Sequence, residues 1–224
     1  MPLACVVQNA PPGISGFDWS DGALSFDDAR RYCAQGYGFC IRYVSRSTEL
    51  QQYNQARGTP DLSLPEAQDI LAAGLALMVV QHPELPGWVP TAELGNEYGS
   101  CAARLASEAG IIAGVNIFLD LEGIAAGTDP QDIVDYSNNW FDQVAAAGYA
   151  PGIYIGYDVW LSPDELYGKL KFEHYWRAGG DITDVANRGY QMLQTIDGDF
   201  DSDVTQNDNL GGCVVWQTNN PIAA

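Results

Sequence analysis

The run Asn116-Ile117-Phe118-Leu119-Asp120-Leu121-Glu122-Gly123 is apolar and ends in two carboxylates one residue apart. In an extended strand, side chains at i and i+2 point to one face, roughly 7 Å apart along the backbone. Asp120 and Glu122 should therefore emerge side by side where this strand ends. Carboxylates so paired suit acid/base work on a glycosidic bond, one delivering a proton and the other carrying charge. A plainer account has Asp120 capping the next segment and Glu122 merely solvated, and the surrounding pattern has to decide.

That pattern is a repeat. CAQG precedes FCIRYVS, LAAG precedes LALMVVQ, SEAG precedes GVNIFLDLE, and AAAG precedes YAPGIYIGY. In each copy a glycine (Gly36, Gly74, Gly110, Gly148) closes an Ala-rich helix end before a short apolar strand. Ser63-Leu-Pro-Glu66 and Ser162-Pro-Asp-Glu165 read as capping boxes, and Asp129-Pro130 puts proline at a first helical position. Strands alternating with helices imply βαβ units around a parallel sheet. Eight strands are expected, at 14–19, 39–45, 75–81, 115–121, 152–157, 174–177, 190–195 and 213–217, with hardly a helix between the sixth and seventh. No linker divides them. The expectation is one α/β domain over residues 1–224, an irregular (β/α)8 TIM-type barrel.

A barrel of this kind gathers its strand ends at one face, where sites form. Reading those ends gives Asp18, Asp120 and Glu122 as catalytic candidates. Arg42, Tyr43, Gln81, Tyr154, Trp176, Gln194 and Trp216 are the substrate-binding candidates. Aromatic rings pack on the C–H faces of sugars while amides and carboxylates hold hydroxyls. The two histidines, His82 and His174, read as hydrogen-bonded structural or pocket-wall residues rather than general bases.

Composition narrows the partners. The net charge is −19, from 29 acidic and 10 basic residues, which opposes binding to nucleic acid, anionic membrane or an anionic wall by charge alone. No run approaches ~20 apolar residues, so no membrane insertion is expected, and the N-terminus lacks the charged and apolar regions of a signal peptide. No G-x-G-x-x-G or G-K-[ST] follows a strand, and Gly13-Ile-Ser-Gly16 is not a nucleophile elbow.

Cysteines 5, 33, 40, 101 and 213 lack zinc spacing, although Cys33 and Cys40 flank a helix-to-strand turn and would pair if their Cα atoms came within range. Alternating Asp197, Asp199, Asp201 and Asp203 suggest a calcium loop. Counting from Asp197, however, Ser202 and Asp208 stand where an EF-hand needs Gly and Glu, so a solvated acidic loop is the better reading. Neither metal nor cofactor is expected.

The succession GFDWS, IRYVS, FLDLEG, PGIYIGY and YWRAGG resembles the glycoside-hydrolase-like domain of unknown function found in secreted actinobacterial and phage proteins. That group is related to family 25 lysozymes, which cleave peptidoglycan N-acetylmuramyl linkages. The resemblance spans residues 14–220. It implies Glu122 as general acid, Asp120 as its partner carboxylate and Asp18 as the first-strand carboxylate. A further acid is implied in GDFDSD, Asp201 before Asp203. It also implies a glycan substrate, peptidoglycan or a related polysaccharide, and an extracellular, wall-associated or phage-associated setting. The competing function is a carbohydrate-binding module that kept the pocket and lost turnover. A calcium-dependent adhesion or scaffold protein is the third. The sequence sets no oligomeric state.

Overall fold

The computed structural model describes residues 5–197 and 200–221. Residues 1–4, where the leader reading began, and Asp199 of the acidic run lie outside them.

Among the described residues, ten strands and six helices follow one another as β1 (Val6–Asn9), β2 (Ser15–Trp19), α1 (Phe26–Ala34), β3 (Phe39–Val44), α2 (Thr48–Arg57), α3 (Leu64–Ala73), β4 (Ala76–Gln81), α4 (Ala92–Glu108), β5 (Asn116–Leu121), α5 (Pro130–Ala146), β6 (Ala150–Ile155), α6 (Pro163–Gly168), β7 (His174–Arg177), β8 (Met192–Asp197), β9 (Phe200–Thr205) and β10 (Val215–Thr218). Strands β2 to β9 close an eight-stranded ring, since β4 pairs with β5 and β9 joins β8 to β2. β2 to β8 run parallel, in a TIM-type barrel, and β9 runs antiparallel to both neighbours.

The eighth barrel strand is thus not the expected 213–217 segment. β10 pairs antiparallel with β1 and meets β4 only at Gln217↔Leu77. Its Val215 N–H donates to Asn116 Oδ1 (2.5 Å) at the start of β5, and the Trp216 ring lies 5.6 Å from Phe39 at the start of β3. The β1–β10 ribbon therefore crosses the N-terminal end of the barrel and closes its base.

Helix starts follow the sequence signals. Ser25, Ser47, Ser63, Thr91, Asp129 and Ser162 each accept a first-turn N–H. The capping box is complete at Ser162–Glu165. At Ser63 it is half made, because the Glu66 carboxylate is drawn away to Arg42 Nε (2.6 Å) and the Leu24 N–H (2.8 Å). No helix stands between β7 and β8, and Cys33 and Cys40 are free thiols rather than a disulfide.

Inside the barrel, bulky side chains face glycines on the neighbouring strand. Gly16 is paired with Phe39 and Gly152 with Phe118, and a β-carbon at 152 would stand 2.5 Å from the Phe118 ring. These rings and Trp176, which lies 5.6 Å from Phe118, fill the floor beneath the C-terminal mouth.

Candidate functional site

Alternation along each strand sorts the residues. Asp18 on β2, Tyr43 on β3, Asp120 on β5, Tyr154 on β6, Gln194 on β8 and Asp201 and Asp203 on β9 share the inner face near the mouth, and Glu122 follows Asp120 two residues on. Direct bonds tie several of them together. Gln194 Nε2 donates to Asp18 Oδ2 (2.8 Å), the Tyr154 hydroxyl donates to Gln194 Oε1 (2.8 Å), and the Tyr43 hydroxyl donates to Asp18 Oδ1 (3.0 Å). Below them, Trp176 Nε1 donates to Asp203 Oδ1 (2.9 Å).

Glu122 is placed by three features. Trp88 Nε1 donates to its carbonyl (2.8 Å), and Gly123 at φ +66 turns the chain against Pro86. Gly156 supplies room, since a β-carbon there would overlap Glu122 Oε2 and stand 2.5 Å from Glu122 Cβ. Above Glu122 the loops extend the sheet: the Gly87 N–H donates to the Gly123 carbonyl (2.7 Å), and the Gly123 N–H donates to the Tyr157 carbonyl (2.8 Å). Half-exposed Tyr157 and Trp160 stand on this raised side, with Trp160 Nε1 bonded to the Ile124 carbonyl (2.8 Å).

Five carboxylates in so enclosed a space resist ionisation. Burial pushes Asp18 up to about 6, the Asp201 charge adds to the shift, and the bonds from Gln194 and Tyr43 oppose it. Burial pushes Glu122 up to about 7. Asp120 lies well above the usual carboxylate range through burial and then the charges of Glu122 and Asp18. Asp203 does so through burial and then Asp18, against the Trp176 bond, and burial also raises Asp201. Asp120 Oδ1 and Asp203 Oδ2 are buried without a hydrogen-bond partner. None of the ion pairs among the described residues includes any of the five.

The structure separates the other substrate-binding candidates from this cluster. Arg42 alternates with Tyr43 and faces outward, paired with Glu66 and donating to the carbonyls of Trp19, Gly22 (3.0 Å) and Pro60 (3.3 Å). Gln81 also faces the helix layer, donating to the Tyr98 carbonyl (2.7 Å) and accepting from Trp140 Nε1 (2.8 Å). Trp216 lies at the base, at the opposite end of the barrel. Trp176 is in the mouth's column but only 1 % exposed, under Tyr154 at 4.5 Å, so its ring supports the floor and offers no face to a sugar.

His82, read from the sequence as a structural or pocket-wall residue, packs on Tyr43 (ring centroids 4.6 Å) and is pushed down to about 4 by burial, then by Arg42 and Arg46. The i, i+2 rule from Met78 through Val80 puts it on the inner face. His174 stands at the opposite, base end, at the start of β7. Asp203 lies deeper than Asp201, whereas the resemblance implies Asp201 first. Of the acidic run, Asp197 ends β8 and Asp201 and Asp203 stand on β9, in strands of the barrel rather than in a solvated loop. Among the described residues no group of three or more His, Cys, Asp or Glu side chains is arranged to hold a metal ion.

Solved structures share this architecture. The Tat-secreted protein Rv2525c of Mycobacterium tuberculosis, in complex with L-tartrate, superposes with a TM-score of 0.62 at 17% identity, over 88% of this chain and 96% of that one. The catalytic domain of endolysin ply40 from bacteriophage P40 of Listeria monocytogenes gives 0.53 at 17% identity, over 88% and 95%. The modular autolysin LytC of Streptococcus pneumoniae, in complex with a synthetic peptidoglycan ligand, gives 0.53 at 12% identity, over 87% of this chain and 47% of that one. At such identities the likeness is one of fold. No curated protein sequence matches the chain significantly. Residues 30–207 match the family described as Rv2525c-like, glycoside hydrolase-like domain, and the chain belongs to that family.

Proposed function

We propose that this protein is a glycosidase acting on cell-wall peptidoglycan or a related polysaccharide outside the cell. The observation that carries the reading is the inward-facing set Asp18, Asp120 and Glu122 at the barrel mouth, where the strand ends of a TIM barrel place reacting groups. Glu122 is the general acid. It is the less buried member of the Asp120–Glu122 pair, and at about 7 it keeps a proton to deliver to a leaving glycosidic oxygen near neutral pH. Asp18 and Asp120 flank the position where positive charge develops on the sugar ring, and an anion there stabilises it or directs water. Tyr157 and Trp160 give the raised side of the mouth exposed aromatic faces for sugar rings. Support for the substrate comes from the endolysin and the autolysin that share the fold.

Turnover of purified peptidoglycan and a panel of polysaccharides tests this against a binding module that has lost turnover. An enzyme loses about 100-fold or more in rate with Glu122→Gln, because the amide keeps shape but has no proton to give. Glycan binding by wild type without turnover would replace the glycosidase with a binding module. Neither turnover nor binding would remove the carbohydrate reading.

A further inference from the structure

We propose that Gln194 is the positioning residue that makes Asp18, rather than Asp120, the carboxylate anion of the mouth. The inference rests on the glycosidase reading for its catalytic meaning, but its structural content stands apart from turnover.

The direction of the Gln194 amide decides the matter. Amide oxygen and nitrogen are told apart by their partners. The Tyr154 hydroxyl could serve either end, since a phenol both donates and accepts. The Gly179 backbone N–H can only donate, and it points to Gln194 Oε1 (3.4 Å). With the oxygen committed to Gly179 and Tyr154, the amide nitrogen faces Asp18 Oδ2 at 2.8 Å and can only donate to it. Tyr43 meets the other oxygen, Oδ1, at 3.0 Å. Both oxygens of Asp18 are therefore met by donors, the arrangement that favours the ionised form.

Its neighbours lack this. Asp120 is 7% exposed and its Oδ1 has no donor, while Asp203 has the Trp176 donor on one oxygen and none on the other. A charge on a buried carboxylate without donors costs more than one on a solvated or bonded carboxylate. The remaining groups that face Asp18 are Asp201 on β9 and the phenols Tyr43 and Tyr154, with His82 packed on Tyr43, while Glu122 beyond β5 faces Asp120. Asp201 opposes ionisation of Asp18, and Arg42 lies behind β3 on the outer face, paired with Glu66. The charge thus settles where the neutral donors are. In the reaction, Asp18 is then the anion that faces developing positive charge, and Asp120 is a neutral acid beside Glu122.

The test is carboxyl 13C titration of Asp18 and Asp120 in the full chain, for wild type, Gln194→Met and Tyr43→Phe, together with the pH profile of kcat/KM on peptidoglycan. In wild type, Asp18 should ionise at a lower pH than Asp120. Gln194→Met should raise the Asp18 midpoint by about one unit or more and move the acid limb of kcat/KM by the same amount. A merely structural role for Gln194 would lower kcat without moving that limb. The inference is overturned if wild-type Asp120 ionises before Asp18, or if the Asp18 midpoint stays in place when Gln194 is replaced. Should Gln194→Met fail to fold, the wild-type order of ionisation and Tyr43→Phe still decide. A protein without turnover retires the glycosidase reading alone, since the titration is read without substrate.

Discussion

Gly156 packs directly against Glu122, so closely that any side chain at position 156 would occupy the space of the Glu122 carboxylate. The glycine is there to admit the acid. Gly156→Ala should swing Glu122 out of its place, at an overpacking cost of about 1–3 kcal/mol. Activity should fall much further than that loss of stability explains. Denaturant unfolding beside hydrolysis rates separates the two, and an active Gly156→Ala would show that Glu122 needs no such fixed position.

The buried acids also set a pH dependence. Asp18 and Glu122 hold protons more tightly in the folded protein, at about 6 and about 7, than unfolded, at about 3.9 and 4.3. The stability contributed by those protons is complete below about pH 4 and is lost as the pH rises through about 6 and 7. Thermal midpoints should therefore fall between about pH 5 and pH 8, and Asp18→Asn with Glu122→Gln should flatten the slope. A stability that rises over this window would contradict the burial of the cluster. For catalysis the same two groups predict a bell-shaped kcat/KM, with an acid limb near 6 for Asp18 and an alkaline limb near 7 for Glu122.

Arg42 and Glu66 should govern stability rather than glycan affinity. Their ion pair is fully enclosed, at 0% and 3% side-chain exposure, and Arg42 also ties down the carbonyls of Trp19, Gly22 and Pro60. Arg42→Met leaves Glu66 buried without its partner, at a cost of about 3–5 kcal/mol. Chemical denaturation reads that cost. A folded Arg42→Met protein with weakened glycan binding and full stability would return Arg42 to the mouth.

Two tryptophans should behave oppositely. Trp176→Phe keeps the floor filled but takes the donor from Asp203, costing about 1–3 kcal/mol of stability and leaving glycan affinity as it was. Trp160→Ala removes an exposed ring at the rim and should weaken glycan affinity by about 0.5–1.5 kcal/mol with little change in stability. Calorimetric binding and thermal unfolding of both variants check the contrast.

Much of this arrangement was legible in the chain. Two-residue alternation was enough to put Asp120 and Glu122 on one face, and glycine stops marked the helix ends before β3, β4, β5 and β6. The same alternation sets Arg42 against Tyr43 and Gln81 against His82 on opposite faces, because adjacent residues cannot both face the mouth. The last polar residues of the strands therefore belong to two different faces. β9 was hidden for a different reason. It lines a polar mouth, so its inner face carries Asp201 and Asp203 where a strand is expected to show apolar residues. The run 213–217 has the opposite effect: with Val214 and Trp216 buried at the base, it reads like a barrel strand.

The antiparallel β9 has a consequence for how the protein reaches its working form. β9 pairs with β2 at Gly16↔Asp203, which joins two ends of the sequence and is among the last closures a growing chain can make. Asp18, Gln194 and Asp203 stand on the three strands of that seam. A partly assembled barrel, however well ordered its β3 to β6 portion, would hold Asp120 and Glu122 but not the opposing wall. The mouth comes into being only with ring closure, so recovery of its titration behaviour on refolding would report completion of the whole barrel rather than of any one part.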